Sequence, residues 1–76
     1  MQSRLEILKS ILKEANPNKD DFSYSAMMRR IRKTHPELVR DFMKAFKNAF
    51  DAGQDQGIEG LERVALMEAV KSVGLE

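Results

Sequence analysis

Arg29, Arg30, Arg32 and Lys33 cluster in one short stretch, and Arg40, Lys44 and Lys47 follow at i, i+4, i+7 spacing. Guanidinium and ammonium groups spaced this way share one side of a helix, where they can neutralise a row of phosphates. The charge is unevenly placed along the chain. Residues 27–47 carry those seven cations against Glu37 and Asp41, a net of +5. Residues 48–76 carry Asp51, Asp55, Glu59, Glu62, Glu68 and Glu76 against Arg63 and Lys71, a net of −4. The first 26 residues balance, so a chain of net charge +1 is polarised rather than globally basic. Asn48 extends the cationic row with an amide able to read base edges. The same charges could equally form a solvated face that balances the acidic C-terminal part.

Two further constellations resemble known motifs. Two helices separated by the tight turn Thr34-His35-Pro36-Glu37 resemble a helix-turn-helix, which implies DNA contact with the second helix in the major groove. Arg40, Lys44, Lys47 and Asn48 then face the groove while Arg29, Arg30, Arg32 and Lys33 hold phosphates. The turn has no glycine, and the second helix is long and aromatic for such a motif. The window Asp51 to Glu62 resembles an EF-hand calcium loop, with Asp51, Asp55, Ile58, Glu59 and Glu62 at loop positions 1, 5, 8, 9 and 12. It departs from that pattern with Gly53 at position 3 and Gln56 in place of the glycine at position 6. An upstream window from Asn16 to Met27 holds Asn18 and Asp20 but ends in methionine. A winged-helix order would need a strand at Asp21-Phe22-Ser23 and a hairpin within residues 54–73, which read as helix.

Other reactive residue types are accounted for more simply. His35 is the sole histidine, without the clustered acids a metal site or proton relay needs, and it reads as a turn residue. Ser3, Ser23 and Ser25 stand at helix starts, where hydroxyls cap backbone N–H groups. Met27, Met28 and Met43 fall on apolar stripes and read as core. Without cysteine the chain has no disulfide, thiolate metal site or thiol nucleophile, a composition that suits a reducing cytoplasm. No cofactor and no metal is expected. The charged start Met1-Gln2-Ser3-Arg4-Leu5-Glu6 argues against an export signal, and no apolar run is long enough for a membrane span.

These side chains must be positioned by an all-α fold. A hydrophobic share of 42% and a charged share of 33% over 76 residues fit one small folded domain. Periodicity predicts four helices, over about 3–15, 24–33, 36–52 and 58–73, joined as a bundle-like or irregular domain spanning residues 1–74. Leu75-Glu76 matches the dipeptide left between a cloned insert and a purification tag, and carries no structural weight. The Ser3/Glu6 pair caps the first helix and Asn16-Pro17-Asn18 ends it. Ser23 or Ser25 caps the second, with Phe22 packing beside the cap. Thr34 and Glu37 form a capping box for the third, which Gly53 ends in left-handed conformation.

Leu38, Val39, Phe42, Met43, Phe46, Ala49 and Phe50 make a wide stripe on the third helix, with Phe46 expected at the centre of the core. On the fourth, Ile58, Leu61, Ala65, Ala69, Val70 and Val73 share a face while Val64 and Met67 point away. A chain this small has little room for a desolvated pocket, so a non-enzymatic binding module is expected. Its partner is nucleic acid through helices two and three, or alternatively a second copy or another protein through the surplus apolar side of helix four.

Overall fold

Ser3 starts the first helix as expected: its hydroxyl accepts the Glu6 N–H at 3.2 Å, leaving α1 to run Arg4–Ala15. Ser23, rather than Ser25, caps the second by accepting the Ala26 N–H at 3.3 Å, and α2 spans Tyr24–Thr34. The computed structural model describes residues 3–16 and 23–75; Pro17, the Asn18 and Asp20 positions, Asp21, the Phe22 packing contact and Glu76 lie outside them. After a 3-10 turn at Pro36–Leu38 come α3, Val39–Gln56, and α4, Leu61–Gly74. Among the described residues there is no strand, and the fold is all-α with four helices.

Three local features differ from expectation. Thr34 stays in α2, where its hydroxyl donates to the Arg30 carbonyl at 2.8 Å, so no capping box with Glu37 forms. His35 is instead the residue between the two helices, and the Leu38 N–H donates to its carbonyl at 3.0 Å. Pro36 still occupies the first turn, where its missing N–H costs nothing. Gly53 does not end the third helix. It is buried inside α3 with the Leu61 side chain packed on it, at a place where a Cβ would collide with that leucine. The stop is Gly57, at φ 66°, with the Gly57 N–H donating to Gln54 and the Ile58 N–H to Gly53. That pair of bonds is a Schellman closure, and the left-handed backbone it requires suits glycine. The extra helical turn leaves Ile58 exposed in the link rather than inside α4.

The helices follow each other around the core: α3 packs most extensively on α4, α4 on α1, and α1 on α2, while α2 also meets α3. The shortest dimension of the molecule is 18 Å, about two packed helices. Leu8 and Ile11 of α1, Met27, Met28 and Ile31 of α2, Leu38 and Phe42, and Ala65, Leu66, Ala69, Val70 and Val73 of α4 are buried. Phe42, not Phe46, is the ring at the centre, fully shielded from solvent. Phe46 and Phe50 are half-buried, with the Tyr24 ring of α2 stacked on Phe46. Met43, expected in the core, is 41% exposed. Leu66 is fully buried although it falls outside the face assigned to helix four, while Val64 and Met67 are exposed as expected.

Asn16 joins α1 to α2 across the link between them. Its amide Nδ2 donates to the Leu12 carbonyl at 3.0 Å, and its Oδ1 accepts the Ser23 N–H at 2.8 Å. One buried side chain thus adds a second donor to the Leu12 carbonyl, which already accepts the Asn16 backbone N–H, and satisfies the N–H of the residue that caps α2. Asn16→Ala removes both side-chain bonds and takes the acceptor from the part-buried Ser23 N–H, so it is expected to cost about 1–3 kcal/mol. The midpoint of urea unfolding, at unchanged slope, measures it.

Candidate nucleic-acid interface

The fold places all eight candidate residues, Arg29, Arg30, Arg32, Lys33, Arg40, Lys44, Lys47 and Asn48, at exposed positions. It does not gather them into one row. Arg29, Arg32 and Lys33 border a hollow of about 500 Å³ on α2 together with Tyr24, Ser25 and Met28. Arg40, Lys44 and Lys47 rim a second hollow of about 570 Å³ on α3, whose floor is Pro36, Val39 and Met43. Neither of these two hollows contains a residue of the other set. Arg30 lines a further hollow of about 720 Å³ with Arg29, Lys33 and Glu14 of α1, its Nη1 3.3 Å from Glu14 Oε2 in a solvent-exposed pair. Asn48 shares a separate, smaller hollow with Lys44, beside Asp41 and Ser72 of α4. The six cations of the two hollows make no ion pair among the described residues.

Bordering the α2 hollow is an aromatic stack that sequence spacing did not single out. The Tyr24 ring lies on Phe46 with centroids 4.1 Å apart and planes 24° from parallel, and Phe46 in turn leans on Phe50 at 5.6 Å. Its position is set at the backbone, where the Tyr24 N–H donates to Glu62 Oε2 of α4 at 2.8 Å. That carboxylate places negative charge at the N-terminus of α2, where the helix dipole favours it. Burial raises the Tyr24 pKa above its usual 10.0, and the nearby Arg32 charge pulls in the opposite direction. A phenol whose pKa is raised by folding supports the fold below about pH 10 and withdraws that support as pH rises through the folded-state value. Because Tyr24 is the sole tyrosine and the chain has no tryptophan, its phenolate absorbance is uncontaminated. The folded protein should therefore titrate at higher pH than the same chain in denaturant, and Tyr24→Phe should reduce the alkaline loss of stability.

The Asp51–Glu62 window does not form an EF-hand loop. Asp51–Gln56, half of the presumed loop, are the last turns of α3, so their carboxylates diverge along a helix instead of converging. Glu62, the presumed bidentate ligand, is engaged with the α2 backbone. Among the described residues no group of three or more His, Asp or Glu side chains gathers as a metal site. The winged-helix alternative fails too, since the segment meant for the hairpin is the end of α3 and all but the last residue of α4. His35 is half-buried at the turn, its Nδ1 3.0 Å from the Thr34 hydroxyl.

Fold and surface together define a small all-α domain that carries two separate cationic hollows beside an aromatic stack. Comparison with known proteins gives no match to a family model, to a curated protein or to a solved structure. Among the described residues, no helix is long and apolar enough to cross a membrane.

Proposed function

We propose that this chain is a non-enzymatic binding module whose α2 and α3 cations contact nucleic acid. One observation carries the reading: six cations on two consecutive helices are exposed and uncommitted to ion pairs among the described residues. Charges that merely balanced the acidic C-terminal part would be expected to pair with it, and among the described residues these six form no such pair. Exposed cations are free to replace the counterions of a phosphate backbone, which is the main source of affinity for nucleic acid. A fluorescence titration with a labelled oligonucleotide at about 50 mM salt tests this. Binding is expected, and the double variant R40Q/K44Q should weaken it roughly tenfold. Absent binding, or binding indifferent to that variant, removes the reading.

A second reading, assembly with another copy through α4, is favoured by Val64 at 37% and Met67 at 46% exposure on the outer side of that helix. Small domains gain apolar burial by self-association. Sedimentation equilibrium should then show a dimer that V64K/M67K dissociates, and a monomer at high concentration excludes it.

A further inference from the structure

We infer that the nucleic acid taken by this surface is single-stranded, with bases on the apolar floors of the two hollows and phosphates on their rims. The inference rests on the nucleic-acid reading above and narrows it. A duplex keeps its base faces stacked inside and shows a protein its phosphates and groove edges, so it offers no base face for an apolar platform to cover. Here each set of cations surrounds apolar side chains instead. The α3 hollow has Pro36, Val39 and the exposed thioether of Met43 between Arg40, Lys44 and Lys47. The α2 hollow has the half-buried Tyr24 ring beside Arg29, Arg32 and Lys33, with Met28 buried beneath. An unstacked base needs an apolar or aromatic platform for its face and a cation within reach of its phosphate, and sequence-tolerant single-strand binders combine these.

The platform is held rigid. Tyr24 is backed on one side by Phe46, which is braced by Phe50, and its backbone is tied to Glu62. Tyr24 lines the α2 hollow, and its partner Phe46 stands on α3 one helical turn from Met43 of the α3 hollow. A strand crossing from α2 to α3 would pass over this stack.

The test uses labelled strands of about 12 nucleotides, DNA and RNA, against a duplex of the same sequence at about 50 mM salt. Anisotropy gives affinity, and the emission of Tyr24, the only tyrosine in a chain without tryptophan, reports stacking on unlabelled strands. Single strands of either sugar are expected to bind about tenfold more tightly than the duplex and to quench Tyr24 emission. Met43→Gln, a neutral change at an exposed position, should weaken single strands about threefold and leave the duplex unaffected. Duplex bound as tightly as single strand, unchanged Tyr24 emission at saturation, or an M43Q protein with full single-strand affinity each overturns the inference. Duplex binding alone would overturn it while sparing the broader reading, whereas failure of every strand to bind removes both.

Discussion

Phe42→Ala is expected to leave most of the chain unfolded at 25 °C. The ring is fully shielded and is the largest of the completely buried side chains, set against cores contributed by the other helices. Deleting such a ring costs about 3–5 kcal/mol, the lost transfer energy plus the cavity left behind. A domain of this size rarely has more than about 3–5 kcal/mol of net stability to lose. Helical circular dichroism during urea unfolding measures the effect. The control is Phe46→Ala: that ring is half-buried at the edge and its removal should cost clearly less. Equal losses at the two positions would place the centre of the core where the spacing of aromatic residues first suggested, at Phe46.

Leu66→Ala is the second large effect, at about 2–5 kcal/mol. Leu66, Ala69, Val70 and Val73 follow one another at i, i+3, i+4, i+7 and are all buried, so the face of α4 that meets the core runs through them. Val64 and Met67 lie on the opposite side, and truncating either in the monomer should change stability by only about 0.5 kcal/mol. Thermal melts of the three alanine variants separate these cases. A mild Leu66→Ala together with a severe Met67→Ala would mean that α4 is rotated on its axis.

The helices themselves were legible because their signals are local. Ser3 and Ser23 cap through bonds that span three residues, and the stripes of α1 and α2 repeat at helical spacing. What was not legible depends on partners distant in the chain. Gly53 reads as a stop from its neighbours alone, but the residue that explains it is Leu61, which folds back onto it. Ala65, Ala69, Val70 and Val73 of the expected face are buried, but a stripe extended back to Ile58 and Leu61 is centred away from Leu66. Once Gly57 ends α3 and α4 begins at Leu61, the face is anchored on Ala65 to Val73. Thr34 had two possible acceptor and donor arrangements, and bonding back to Arg30 won over capping forward to Glu37.

The candidate site divides in the same way. Excess positive charge on helices two and three is visible in composition, and exposure of these cations follows from the stripes they oppose. Their separation into two hollows is not visible, because it depends on how α2 crosses α3. Nor does spacing reveal that Arg30 faces Glu14, sixteen residues upstream, or that Glu62 reaches the first N–H of α2. Tyr24 reads as one more apolar residue of α2 until Phe46 is placed beneath it.

The dependence of affinity on salt tests the nucleic-acid reading most directly. The logarithm of the association constant for a short single strand should fall linearly with the logarithm of salt concentration, at about 0.7 per phosphate neutralised. Removing Arg40 and Lys44 together should flatten that line by about 1.4. A wild-type line that is already flat, or a slope the double variant leaves unaltered, would contradict a role for these cations in holding phosphate.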